Sequence, residues 1–212
     1  MNTINIGIIG LGTVASGLVE GIVKNSELIK SRFGLQFNIQ GIAVRDLNAK
    51  RQVEVDEKLL TDDASTVVND PNTQVILELM GGTTKARELV TQALKAGKAV
   101  VTANKALIAE HGIELFKLAE ENKTSIYYEA SVAGGIPIIK ALREGLSGND
   151  VQSIQGILNG TCNFILSEME EKGAAFDPTV KLAQDLGYAE ADPTLDVGGF
   201  DAAHKTAILA GL

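Results

Sequence analysis

Tryptophan is absent, and three tyrosines and six phenylalanines bring aromatic residues to only 4% of the 212-residue chain. Proteins that read single-stranded nucleic acid stack bases on aromatic platforms, and there is little here to build one. Positive charge is also in deficit: 19 Lys and Arg against 27 Asp and Glu leave a net charge of −8, with no local basic patch. Such a chain repels nucleic acid and anionic membrane surfaces, so neither partner is expected. The single cysteine, Cys162, excludes an intramolecular disulfide and any cysteine cluster for zinc or iron–sulfur. It favours a reducing compartment, and a cytoplasmic location is the expectation. No apolar run is long enough to span a bilayer. Residues 1–5 lack the cationic region that precedes the apolar core of a secretory signal. The two histidines, His111 and His204, have no metal-ligand spacing, and Cys162 has no base beside it; all three read as structural.

What the chain does have is an ordinary folding composition, with 45% hydrophobic and 22% charged residues, and 22 glycines gathered in clusters. Its length fits one large domain, or one domain and part of another. Short β-branched runs at 4–9, 37–44, 74–79, 98–102 and 124–129 read as strands. They alternate with helical patterns at 14–24, 84–96 and 112–122, which predicts βαβ units, a parallel sheet and an α/β, Rossmann-type doubly wound fold. Residues 46–70 are polar and helix-prone without a clear apolar face. After Glu129 the character changes. Helices are predicted at 137–146, 161–172, 177–186 and 201–212, around one strand at 151–158. A boundary is placed near residue 130, giving a nucleotide-binding domain at 1–130 and an α+β domain at 131–212. One strand makes no sheet, so this second domain is expected to be incomplete.

The sequence Gly10-x-Gly12-x-x-Ala15, between a strand and a helix, matches the dinucleotide fingerprint with alanine in its last place. Gly10 permits the tight turn. Gly12 lets a pyrophosphate approach backbone N–H groups at the positive end of the helix, and Ala15 allows close helix–strand packing. At the end of the second strand, Arg45 would accommodate a 2′-phosphate, whereas Asp46 would accept a ribose 2′-hydroxyl. NADP and NAD both remain open.

Six further segments resemble the homoserine dehydrogenase family. They are Glu78-Leu79-Met80-Gly81-Gly82, residues 101–106 (Val-Thr-Ala-Asn-Lys-Ala), residues 128–137 (Tyr-Glu-Ala-Ser-Val-Ala-Gly-Gly-Ile-Pro), residues 156–163 (Gly-Ile-Leu-Asn-Gly-Thr-Cys-Asn), residues 183–193 and residues 196–205. They occur in order along essentially the whole chain. The resemblance implies an NAD(P)-dependent oxidoreductase of amino-acid biosynthesis, on the route to threonine and methionine, that interconverts L-homoserine and L-aspartate 4-semialdehyde. It also implies a homodimer. The family's catalytic region continues well past the helix carrying Lys205, and those further strands are absent from this chain.

By that resemblance, Gly10, Gly12, Thr13, Val14, Arg45, Gly81, Lys105 and Gly187 contact the cofactor. Glu190, Asp196 and Asp201 bind the amino-acid substrate, Lys205 is the acid/base and Lys105 assists it. Glu129, with the backbone carbonyls of Val132, Gly134 and Ile136, would hold a monovalent cation, sodium; an all-oxygen donor set suits a hard ion. The residues alone support part of this. Asp201 and Lys205 are spaced i,i+4 on one helix face, alcohol oxidation needs a proton acceptor, and lysine can serve as one. From spacing alone, an exposed helix ion pair is the simpler reading. An aspartate dehydrogenase-like enzyme and a dinucleotide-binding sensor without turnover are the alternatives.

Overall fold

The computed structural model describes residues 2–212 and divides them into two compact units, one ending at Gly134 and the other running from Gly135 to Leu212. In the first unit, β1 (Asn2–Ile9), β2 (Leu35–Ala43), β3 (Leu60–Thr61), β4 (Val75–Glu78), β5 (Ala99–Thr102) and β6 (Ile126–Tyr127) form one sheet. Its order is β3-β2-β1-β4-β5-β6, and every pairing is parallel. This α/β order reverses direction between β1 and β4, the switch point where open parallel sheets bind ligands beyond their carboxyl ends.

The helices α1 (Thr13–Lys24), α2 (Ser26–Phe33), α3 (Ala64–Asn69), α4 (Thr84–Lys95) and α5 (Lys105–Glu121) connect or flank these strands. Ile6, Ile8, Ile42 and Leu77 from the sheet pack with Ala15 and Val19 from α1 in a buried cluster. Each fully buried aliphatic side chain of this kind contributes about 1.5–3 kcal/mol, enough to fix α1 on the sheet.

Several expectations need correction. The polar stretch 46–70 is mostly irregular and holds β3 and α3, a strand–helix pair too short to show a period. Helix α2 was not anticipated, and α5 begins at Lys105 rather than residue 112 because Asn104 caps it, accepting from Leu107 N–H at 3.1 Å.

The second unit contains α6 (Ile138–Lys140), which continues into a π-helical turn at Ala141–Gly145, then α7 (Gly160–Lys172), α8 (Phe176–Asp185), α9 (Thr194–Val197) and α10 (Phe200–Ala210). The strand expected at 151–158 does not form. Those residues are irregular and mostly exposed. A strand is held by a hydrogen-bonded neighbour, and among the described residues this unit contains no other strand to serve as one. Among the described residues, no helix is long and apolar enough to cross a membrane.

Candidate active site

The turn after β1 is built by contradictory demands on two glycines. Gly10 has φ +91°, and a Cβ there would lie 2.7 Å from the Leu79 carbonyl oxygen, so no other residue fits without shifting the β4 end. Gly12 is different. Its backbone is extended, and a Cβ would meet nothing within 4 Å. It is the N-cap of α1 yet offers no side chain to the first-turn N–H groups, and no acidic residue occupies that turn. The positive end of α1 is thus left open to an anion, as a bound pyrophosphate requires.

This turn borders a cleft of about 550 Å³ lined by Gly10, Leu11, Gly12, Arg45, Asp46, Met80, Gly81 and Lys85, among others. The chemistry and shape of this cradle fit a dinucleotide. Arg45 and Asp46 are both exposed on the β2 side. Asp46 Oδ1 accepts from Asn48 N–H at 2.8 Å, and its carbonyl accepts from the Arg51 guanidinium. Gly81 lies across the cleft with φ +75°. Thr13, Val14 and Lys105 do not line it. Thr13 and Val14 form the start of α1, with Val14 exposed, and half-buried Lys105 opens α5.

In the second unit, four side chains converge. Lys205 Nζ donates to Asp201 Oδ2 at 2.6 Å and to the Leu158 carbonyl at 2.7 Å. The Asn159 amide donates to Asp201 Oδ2 at 2.9 Å and to Asp196 Oδ1 at 2.7 Å. The Lys205 and Asp201 side chains are 19% and 6% exposed, which excludes the exposed ion pair that spacing alone favoured. Two of the three ammonium donors point at protein acceptors, which leaves one direction for a substrate oxygen. Asn159 was not singled out from the sequence, although it is the hub of the cluster and also caps α7 through Cys162 N–H. Its Asn-Gly-Thr helix-start pattern was the available signal.

The other predicted residues are placed more loosely. Glu190 is exposed, with its carbonyl accepting from Gln184 Nε2 at 3.2 Å. Gly187 closes α8 in the second unit with φ +78°, so the cleft of the first unit is built without it. Thr161 Oγ donates to the Tyr188 carbonyl at 2.6 Å and ties the start of α7 to this loop. Burial, reinforced by Asp196 and Asp201, pushes the Cys162 thiol above its usual pKa, the direction that disfavours the thiolate. Glu129 opens a 3₁₀ turn, Val132 is buried and Gly134 has φ +56°, while Ile136 is exposed and its carbonyl accepts from Ile138 N–H. No group of three or more His, Cys, Asp or Glu among the described residues could hold a metal ion.

A six-stranded parallel sheet in this order, with the glycine turn at its switch point, defines the first unit as a Rossmann-type dinucleotide-binding domain. The family model for the homoserine dehydrogenase NAD-binding domain matches residues 10–129, and the homoserine dehydrogenase model matches residues 137–212. The chain is 46% identical to a homoserine dehydrogenase of Bacillus subtilis over 100% of its own length and 49% of that protein. A homoserine dehydrogenase structure from Thiobacillus denitrificans superposes with a TM-score of 0.90 at 50% identity, covering 99% of this chain and 48% of that one. A hyperthermophilic archaeal homoserine dehydrogenase in complex with NADPH superposes with a TM-score of 0.83 at 30% identity, covering 98% of this chain and 69% of that one. The chain therefore belongs to the homoserine dehydrogenase family. It spans about half the length of the curated relatives it matches.

Proposed function

We propose that the chain carries the dinucleotide site and the proton-transfer residues of an enzyme that interconverts L-homoserine and L-aspartate 4-semialdehyde. The observation that carries this reading is the half-buried lysine held between Asp201 and the Leu158 carbonyl, with Asn159 bracing both Asp201 and Asp196. When bound, the dinucleotide supplies the hydride acceptor. Gly10, Gly12 and Gly81 would hold and orient it along the cleft, with the backbone N–H groups of Thr13 and Val14 at the open end of α1. In the reduction direction the Lys205 ammonium gives its third proton to the oxygen as hydride arrives at the carbon; in oxidation the neutral amine left by that transfer takes the hydroxyl proton back as the carbinol hydride leaves. Asp201 positions the ammonium group and balances its charge. Glu190 and Asp196 offer carboxylates to the substrate ammonium, and Lys105 is the second candidate for the proton.

Cofactor choice follows from Arg45 and Asp46 at the cleft rim, and Arg45 favours NADP. Arg45→Ala is expected to weaken NADP binding by about 1–3 kcal/mol, the scale of a lost charged hydrogen bond, and to leave NAD nearly unchanged. Titration with each dinucleotide checks this; equal losses would assign Arg45 another role. The Glu129 carboxylate with the carbonyls of Val132, Gly134 and Ile136 offers only oxygen, which suits sodium. We further propose a cytoplasmic homodimer; the lone cysteine fits a reducing compartment.

The test of the whole reading is absorbance in the reduced-nicotinamide band with L-homoserine and each dinucleotide, in this chain and in a protein of its relatives' full length. Homoserine-dependent reduction in the longer protein is the expected result. Tight dinucleotide binding without any homoserine-dependent change would instead favour a sensor.

A further inference from the structure

Glu78, the last residue of β4, has no exposed surface. Carboxylates are almost never fully buried without partners that repay the loss of water. Among the described residues the hydrogen-bond partners of Glu78 are two, and neither is a cation. Oε1 accepts from Met80 N–H at 3.1 Å, and Oε2 accepts from the Thr102 hydroxyl at 2.6 Å. Glu78 is in register with Ile9 on one side and Thr102 on the other, so its carboxyl group lies at the carboxyl ends of the three central strands.

The contacts continue from there. Thr102 Oγ accepts from Asn104 N–H at 2.9 Å, and the Asn104 amide donates to the Gly82 carbonyl at 2.7 Å. The ring closes through the turn Met80-Gly81-Gly82, whose glycines both have positive φ, 75° and 72°. It also sets the start of α5, because Asn104 is the cap of the helix that opens with Lys105. The hydroxyl is the one group in this ring that could turn either way, and Glu78 accepting at Oε2 fixes it. Thr102 must spend its only proton on Oε2 and so is left to accept from Asn104.

We propose that Glu78 is a positioning residue for the nicotinamide half of the dinucleotide site. It touches no ligand; it holds the Met80–Gly82 turn and the start of α5 in place. The argument for that half is topological. A dinucleotide lies across the switch point of such a sheet, one mononucleotide on each side. Arg45 lies on the β2 side, and the ring joins β4 to β5 on the other. The inference deepens the cofactor reading above and rests on it.

The test compares the whole dinucleotide with adenosine-side fragments. Reduced NADP and NAD are titrated by their fluorescence, and ADP and adenosine 2′,5′-bisphosphate by calorimetry, in the 212-residue chain. Glu78→Gln keeps the shape but turns one acceptor into an N–H₂. Toward Met80 it faces another donor, and toward Thr102 it takes the hydroxyl's lone pair and leaves the Thr102 proton without an acceptor. The variant is expected to weaken the dinucleotides about tenfold or more and the fragments less than twofold. Thr102→Val, which removes the ring's hydroxyl, should do the same, and Thr102→Ser, which restores it, should bind like the parent. If Glu78→Gln fails to fold, the two Thr102 variants decide. Equal losses for dinucleotide and fragments, or no loss at all, would overturn the proposal, as would a Thr102→Ser protein that binds no better than Thr102→Val. If the parent binds no dinucleotide, the cofactor reading itself fails. Amide exchange at Met80 and Asn104, measured without ligand, then still reports whether Glu78 holds this edge: exchange unchanged in Glu78→Gln overturns the positioning claim.

Discussion

Replacing Lys205 with alanine is expected to cut homoserine-dependent turnover by about 100-fold or more, the usual scale for losing a positioned general acid/base. In this cluster the lysine amine is the group assigned to take up and return the proton. Its remaining N–H direction is the one available to a substrate hydroxyl. Lys205→Arg should fail almost as badly, because guanidinium keeps its proton throughout the working pH range. Dinucleotide affinity should hardly change in either variant, since the glycine turn belongs to the first unit.

A structural cost accompanies the catalytic one. Asp201 is 5% exposed, and removing its cation strands a buried carboxylate, a loss of about 3–5 kcal/mol for a fully buried pair and less here because Lys205 retains some solvent contact. Thermal unfolding must therefore be measured beside turnover. The comparison is made with saturating substrate, at a temperature where both proteins are folded and in a full-length protein shown to be active. If Lys205→Ala kept parental turnover there, the acid/base role would pass to Lys105.

Gly12→Val is expected to abolish dinucleotide binding, lowering affinity about 100-fold or more, while the protein unfolds at nearly the parental temperature. Both halves of this prediction come from one geometric fact. Gly12 has φ −90° and ψ −161°, an extended conformation with negative φ that does not require glycine, and a Cβ there would meet nothing within 4 Å beyond its chain neighbours. The protein has no reason to object. A pyrophosphate seated on the first turn of α1 does, because the branched side chain would fill the space through which it reaches the N–H groups. Gly10 provides the contrast: Gly10→Ala must push against the Leu79 carbonyl from a left-handed backbone, so it should lower stability as well as binding. A Gly12→Val protein that binds NADP or NAD like its parent would remove the glycine turn from the cofactor site.

The periodic parts of the sheet were legible from the sequence because they bury one side-chain type in short runs. Ile6, Ile8 and Ile9 in β1, Ile76 and Leu77 in β4 and Val100 in β5 are all buried, and each lies in a run that was read as a strand. β3 is two residues long and left no pattern to read. Residues 151–158 show the opposite failure. Their apolar residues announce a strand, but a strand is a relation between two segments, and the second segment is not among the described residues.

Residue chemistry and local spacing alone determined the α/β class, the glycine turn at 10–15 and the placing of Asp201 one turn before Lys205 on a shared helix face. Each is a property of neighbours in sequence, where φ, ψ and helical repeat leave little choice. The tertiary structure alone decided that this pair is buried, that Asn159, 42 residues before Asp201, joins the Asp196 carboxylate to it, and that Glu78 meets a hydroxyl 24 residues away. Burial and long-range hydrogen bonds depend on which surfaces the fold presses together, and no local pattern encodes which partner arrives from across the chain.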